Sequence, residues 1–217
     1  MYCYQCEQTA KGIACTKMGV CGKDPKTAAL QDLLLYQAKG IAMYAHRARA
    51  FGVAEHEADI FVVEALFSTV TNVNFDPDRL IRLIRKGADV RDHARELYEK
   101  AARDAGREPE ALAGPAALSP AGDRDGLLTQ AAEVSIDRRR SEQGEDVTGL
   151  HYLVLYGLKG AAAYADHAHI LGKEDPEVFA LFHEALDFLA GEATSREELL
   201  RWALRTGELN LRAMELL

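Results

Sequence analysis

All four cysteines of this chain lie within its first 21 residues. Cys3 and Cys6 form a CxxC pair, eight residues separate Cys6 from Cys15, and five separate Cys15 from Cys21. A CxxC pair can place two thiolates on one tight loop, and the two later cysteines are close enough in sequence to complete a four-thiolate site. Glycines in the same segment allow backbone N–H groups to turn toward sulfur. The spacing therefore indicates a metal or redox site.

Three kinds of site fit these cysteines. Two disulfides would suit a small secreted domain, but this chain is large and has no secretory signal, so a reducing compartment is expected, where structural disulfides are rare. A zinc ion accepts four thiolates, although its usual sites pair two CxxC motifs and this chain has one. An iron–sulfur cluster tolerates more irregular spacing. The residues alone favour iron–sulfur and leave zinc open.

The composition and net charge of the chain argue against a nucleic-acid-binding or membrane protein. With 34 acidic against 26 basic residues the net charge is -8, which gives no basic surface for nucleic acid or an anionic membrane. The N-terminus lacks a basic segment followed by an apolar stretch, and the most apolar segment, LHYLVLYGLKGAAAYA, carries Lys159. We therefore expect a cytoplasmic protein with no nucleic-acid or membrane partner.

Beyond residue 24 the pattern is helical. The Asp-Pro pairs at 24–25, 76–77 and 175–176 are typical of an N-cap followed by the first helical residue, and Ser195 with Glu198 forms a capping box. Apolar residues recur every three or four positions, and no run alternates as a strand would. The sequence predicts an all-α protein of about six helices. The positions at which those helices should end are Gly52, Gly106, Gly191 and Gly207.

The helical part contains an internal repeat at a constant offset of 120 residues. The pattern YxxKG at residues 36–40 recurs at 156–160, and the triplet EAL at 64–66 recurs at 184–186. We interpret this duplication as two tandem, internally repeated three-helix bundles preceded by the N-terminal cysteine loop. A glycine inside a helix costs about 1 kcal/mol against alanine. We therefore expect the repeated glycines, Gly40 and Gly160, to allow close helix–helix approach.

A connection rich in proline and glycine separates the two halves. The predicted organisation is a cluster loop at 1–24, a first helical bundle at 25–106, a linker at 107–126 and a second helical bundle at 127–217.

Other polar residues receive simpler interpretations. Seven histidines could suggest a second metal, yet no Glu has a His three residues later, which is the pair that di-iron bundles use. His167 and His169 are two apart on a helix and so point to different faces. The repeated glutamates, Glu64 and Glu184, are expected to pair with the repeated lysines rather than to act as catalytic carboxylates.

At its cysteines the chain resembles the hybrid cluster proteins, also called prismane proteins or hydroxylamine reductases. The segment CYQCEQTAKGIACTKMGVCGK is similar to that family's N-terminal cluster loop, and EALFSTVTNVNFD, LVLYGLKGAAAYADHA and LNLRAMELL are similar to its helical first domain. Members with gaps of eight and five residues carry a [4Fe-4S] cluster, and members with longer gaps carry [2Fe-2S]. The resemblance therefore implies that Cys3, Cys6, Cys15 and Cys21 bind one [4Fe-4S] cluster that transfers electrons.

The resemblance also implies what the chain lacks. Full-length members are more than twice as long, and a hybrid iron–sulfur–oxygen cluster in two later domains reduces hydroxylamine to ammonia, and by a related route nitric oxide. Cys, His and Glu residues of those domains hold that cluster, whereas this chain has no fifth cysteine. We therefore expect one domain of such an enzyme, inactive alone and without a catalytic residue. Its expected partners are the missing C-terminal domains and a redox donor protein.

Two further expectations remain from the sequence. If later domains normally cover this one, an apolar patch should be exposed near residues 202–217. The alternative to a redox domain is a zinc-stabilised helical binding module without redox activity.

Overall fold

The computed structural model describes residues 1–191 and 195–217. Apart from one antiparallel bridge between Cys3 and Cys15, these residues contain no β-structure, which confirms the all-α prediction. No helix among them has the length and apolarity that a membrane crossing needs. The α-helices in the described residues are α1 (Pro25–Arg49), α2 (His56–Ser68), α3 (Pro77–Asp104), α4 (Arg124–Glu133), α5 (Ile136–Ile170), α6 (Pro176–Ala190) and α7 (Arg196–Glu215), with short 3₁₀ turns at Ala10–Gly12 and Gly114–Ala117.

The predicted helix starts are confirmed by their caps. Asp24, Asp76 and Asp175 each accept hydrogen bonds from backbone N–H groups of the first turn that follows, with proline next in sequence. Ser195 accepts from the backbone N–H of Glu198. Each cap satisfies donors that the first turn of a helix would otherwise leave without partners.

The predicted helix ends are only partly correct. Gly52 and Gly106 follow their helices with positive φ angles of 76° and 71°, a conformation that glycine adopts at little cost. Gly207 was expected to end the last helix, but α7 continues through it. Leu209 and Ala213, beyond this glycine, are almost fully buried. Their burial outweighs the cost of about 1 kcal/mol for glycine within a helix.

The structural repeat follows the sequence repeat. Helix α5 contains a break at Gly144, where φ is 80°, and its longer segment begins directly after this residue. That segment corresponds to α1 at the offset of 120 residues, and α6 and α7 correspond to α2 and α3. The first two turns of α5 therefore lie outside the repeated unit.

The two repeats do not form separate bundles, because helices of one repeat pack on helices of the other. Helix α1 packs extensively on α3 and α5 on α7, within each repeat. The middle helix of the second repeat, α6, packs mainly on α1, whereas the middle helix of the first, α2, packs on α5 and also on α1 and α3 of its own repeat. Each middle helix thus contacts the long helix of the other repeat. The prediction of two separate tandem bundles is not confirmed, and the boundaries proposed at 25–106 and 127–217 stay predictions.

One apolar core serves both repeats. A single cluster of buried residues contains side chains from every helix that the structure describes, among them Leu34, Val62, Ile84, Leu127, Leu158, Phe182 and Leu209. Polar contacts also cross between the repeats. Asp59 of α2 pairs with Arg49 and lies 2.7 Å from Nε2 of His183 on α6. Burial lowers the pKa of His183, and its hydrogen bond to Asp59 opposes that shift.

The two repeated glycines have different surroundings. A methyl group added at Gly40 would lie 2.2 Å from the carbonyl oxygen of Pro115, in the 3₁₀ turn that follows α3. A methyl group added at Gly160 would meet nothing within 4 Å among the described residues. Gly40 therefore permits close approach of a turn rather than of a helix, and the expected packing role of Gly160 is wrong within this chain.

This difference predicts opposite effects of one substitution. Gly40→Ala should lower the free energy of unfolding by about 1–3 kcal/mol, because the backbone of Pro115 must move. Gly160→Ala, the matched variant, should raise it by up to about 1 kcal/mol, because alanine favours a helix. Urea unfolding followed by circular dichroism measures both values. Equal effects of the two substitutions would contradict the assigned contacts.

Candidate metal centre

The main chain brings Cys3 and Cys15 together. The N–H of Cys3 donates to the carbonyl of Cys15 at 3.1 Å, and the N–H of Cys15 donates to the carbonyl of Cys3 at 2.8 Å. This pair of bonds is the antiparallel bridge of the N-terminal loop. Residues 12 apart in the sequence are thereby held side by side, and the loop is closed at its base.

A tight turn follows Cys6. The N–H and the hydroxyl of Thr9 both donate to the carbonyl of Cys6, at 3.1 and 2.5 Å. The chain then passes through left-handed conformations at Lys11 and Gly12, with φ angles of 56° and 67°. In this turn the N–H of Ala10 donates to Sγ of Cys15 at 3.5 Å. Such N–H to sulfur bonds stabilise a thiolate and are found around iron–sulfur clusters.

A second turn holds Cys21. The N–H of Gly19 donates to the carbonyl of Lys23 at 2.8 Å, and the N–H of Gly22 donates to the carbonyl of Gly19 at 2.9 Å. A Cβ atom at Gly19 would lie only 3.0 Å from Sγ of Cys21. A glycine at this position therefore leaves room for the sulfur.

The four sulfurs belong to free thiols at a partly covered site. Cys15 is buried and the other three cysteines are half-buried, and none is in a disulfide. No three of the four sulfurs lie within 4.8 Å of one another. Four thiolates on one zinc ion with bonds of about 2.3 Å would lie about 3.8 Å apart. In each set of three of these sulfurs, at least one pair therefore lies farther apart than two thiolates on one zinc ion would.

Gln5 fastens the cysteine loop to both repeats. Its Nε2 donates to the hydroxyl of Thr71 at 2.9 Å and to the carbonyl of Thr69 at 3.3 Å, both just after α2. Its Oε1 accepts from Nζ of Lys159 on α5 at 2.6 Å. Sequence reasoning missed Gln5, since a glutamine between two cysteines carries no pattern of its own.

Tyrosines form the apolar contact between the loop and α5. The ring of Tyr4 lies 5.7 Å from that of Tyr156 and 6.1 Å from that of Tyr152, in edge-to-face arrangements. Tyr2 packs on Tyr4, and the guanidinium of Arg140 lies 3.9 Å from the centre of the Tyr2 ring. Burial raises the pKa of Tyr4 to about 12, so its hydroxyl stays protonated. These rings keep water from one side of the loop.

A cavity of about 270 Å³ borders Cys3 and contains both charged and apolar groups. Lys23, Asp32 and Lys159 line it together with the tyrosines of α5. Burial raises the pKa of Asp32 and lowers that of Lys159. A carboxyl group and an amine whose pKa values burial shifts in opposite directions thus line the same cavity as Cys3.

The expected pairing of the repeated lysines with the repeated glutamates is wrong. Nζ of Lys39 lies 3.1 Å from Nε2 of His151, and Lys159 bonds Gln5. Glu184 accepts two hydrogen bonds of 2.7 Å from Arg205, whereas Glu64 is exposed. The lysines are repeated in sequence, but Lys39 contacts a side chain of the second repeat and Lys159 contacts a side chain of the cysteine loop.

The similarity of this chain to known proteins extends over its whole length. The model of the Prismane/CO dehydrogenase family matches residues 1–217. A hydroxylamine reductase of Rhodospirillum rubrum is 50% identical over 217 residues, and those of Acidithiobacillus ferrooxidans and Geobacter metallireducens are 49% and 47% identical. In each case the match covers 100% of this chain and 40% of the relative. The chain therefore spans well under half the length of these relatives.

The contacts of Gln5 predict that one side chain controls the order of the cysteine loop. In Gln5→Ala, amide hydrogen exchange at Cys3 and Cys15 should be about tenfold faster, because hydrogen bonds worth roughly 1.4 kcal/mol in total are lost. Gln8→Ala, an exposed glutamine of the same loop, is the control and should exchange like the unmodified protein. Unchanged protection in both variants would show that Gln5 does not anchor the loop.

Proposed function

Because the chain belongs to the Prismane/CO dehydrogenase family, we propose that it is the cluster-binding, electron-transferring domain of a hydroxylamine reductase. Its ligands are Cys3, Cys6, Cys15 and Cys21, which bind one [4Fe-4S] cluster. The observation that carries this proposal is a loop of four free thiols, closed by a backbone bridge and fastened to both repeats.

The donor set fits the proposed cluster. It consists of four free thiols within one loop, and thiolates are the ligands that iron–sulfur clusters use. A backbone N–H already bonds Sγ of Cys15, and Gly19 leaves room beside Sγ of Cys21. When bound, such a cluster accepts and donates single electrons.

The residues of the chain have positioning roles. Gln5 and the Cys3–Cys15 bridge fix the thiols, and the tyrosines exclude water on the side of α5. The buried amine of Lys159 donates a hydrogen bond to Gln5 of the loop and lines the cavity that borders Cys3. Both the exclusion of water and polar groups near the sulfurs affect the potential at which a cluster is reduced.

The chemistry of the whole enzyme belongs, in this proposal, to a longer protein. The matched relatives bear the name hydroxylamine reductase, and this chain corresponds to 40% of their length. Reduction of hydroxylamine to ammonia, or of nitric oxide by a related route, would occur at a hybrid cluster outside these 217 residues. We assign no catalytic residue to this chain, and a redox donor protein would supply its electrons.

Two exposed apolar faces support contact with further domains of the same enzyme. On α7, Leu200, Leu204 and Leu211 share one face and are 52%, 75% and 58% exposed, and the last two lie within the segment 202–217 where an apolar patch is expected. On α5, no described residue lies within 4 Å of a Cβ atom placed at Gly160, whereas the 3₁₀ turn at Gly114–Ala117 covers the equivalent Gly40 of α1. We infer that later domains cover both faces.

The cluster assignment predicts the metal content of the protein. Anaerobically prepared protein should contain about four iron atoms and four acid-labile sulfides per chain, and should absorb broadly near about 400 nm. Cys21→Ser and Cys15→Ser should lose most of the iron, whereas Met18→Ser, an exposed change in the same loop, should keep it. One zinc and no sulfide per chain would instead indicate the zinc-stabilised binding module.

The interface assignment predicts self-association of the 217-residue chain. Light scattering should give a mean mass that rises with concentration, because the exposed leucines of α7 bind one another when no other domain covers them. Replacing Leu200 and Leu204 by Lys should restore a monomer. Glu197→Gln with Glu208→Gln, which changes the net charge equally, should not. A monomer at all concentrations would contradict this interface.

A further inference from the structure

Three potential metal ligands meet on the side of the molecule where α2 begins and α5 ends. Nε2 of His56 lies 3.1 Å from both carboxylate oxygens of Glu174, and Nδ1 of His169 lies 2.6 Å from one of them. The three ligand atoms all lie within 4.8 Å of one another. Within the described residues, this is the one group of at least three histidine, cysteine or acidic side chains so close together.

We propose that His56, His169 and Glu174 form a surface site for a divalent transition-metal cation such as Zn²⁺. Two imidazoles and one carboxylate are the usual donors of a zinc site that keeps a position open for water. Around a tetrahedral zinc ion such donors lie about 3.3 Å apart. The present separations therefore require side-chain shifts of less than about 1 Å to admit the cation.

The backbone holds these ligands in place. His56 is the first residue of α2, directly after Glu55, whose side chain caps the helix. His169 lies in the last turn of α5, and the N–H of Gly172 donates to its carbonyl at 2.8 Å. Gly172 has a φ of 72°, which turns the chain back and places Glu174 beside the end of the helix. The site is therefore formed by the fold and does not need a disordered segment to close on it.

The surface is open enough for a cation to enter. The side chain of His56 is 64% exposed, and those of His169 and Glu174 are each 32% exposed. Because His56 belongs to the first repeat and the other two ligands to the second, a bound cation would cross-link the repeats. The donor set contains no thiol, so affinity should follow the usual order in which Cu²⁺ and Zn²⁺ exceed Fe²⁺. The proposal does not depend on the cluster.

Calorimetric titration with Zn²⁺ tests the site. The protein is prepared anaerobically with the iron–sulfur cluster bound to its four cysteines, so that free thiols do not compete for the cation. We expect one Zn²⁺ per chain and a rise in melting temperature on binding. His56→Ala and His169→Ala should each weaken binding at least about tenfold, since the loss of a mere outer-shell partner already costs that much. His93→Ala, an exposed histidine on α3, should bind like the unmodified protein.

A second measurement separates this site from the cysteine loop. Addition of substoichiometric Cu²⁺ to protein whose four thiols are bound by the cluster or alkylated should broaden the imidazole proton resonances of His56 and His169 before those of His93. Free thiols are excluded because they bind Cu²⁺ and reduce it. Absence of saturable Zn²⁺ binding below about 100 μM would overturn the proposal, as would binding that survives in both histidine variants but disappears in Cys21→Ser.

Discussion

The attachment of the cysteine loop to the helical body is the constraint on which the site depends. The loop has little regular structure and little buried apolar surface, so it cannot hold four thiols in position by itself. The Cys3–Cys15 bridge closes it, and Gln5 and Tyr4 fasten it to the body. Because Gln5 binds both the end of α2 and Lys159 on α5, the loop lies where the two repeats meet.

The packing of each middle helix, α2 or α6, on the long helix of the other repeat joins the two repeats at that meeting point. If each repeat packed only on itself, the loop would span two bodies that could move relative to one another. Instead α2 packs on α5 and α6 on α1, and one core joins them. Buried polar contacts such as that between Lys39 and His151 add cross-links that only one relative arrangement of the repeats satisfies.

Local features of the fold could be predicted from the sequence, and non-local ones could not. The caps at Asp24, Asp76 and Asp175 depend on neighbouring residues, so their type and spacing suffice. The apolar periodicity shows which face of a helix is buried but not which helix covers it. For that reason the repeat was recognised while the exchange of α2 and α6 was not.

The same distinction holds for the sites. The four cysteines lie within 21 residues, and their spacing alone indicated a metal or redox centre. His56 and Glu174 are 118 residues apart, and only the packing of α2 on α5 brings them together. Gly160 likewise shares the pattern of Gly40, yet the turn that covers one has no counterpart over the other in the described residues.

A crystal structure of anaerobically prepared protein, with anomalous difference maps measured on both sides of the iron absorption edge, would test whether the cysteine loop binds an iron–sulfur cluster. We expect one compact iron peak in contact with the sulfurs of Cys3, Cys6, Cys15 and Cys21. A single-atom peak that appears only at the zinc edge, or cysteines joined to one another in disulfides without metal, would contradict it.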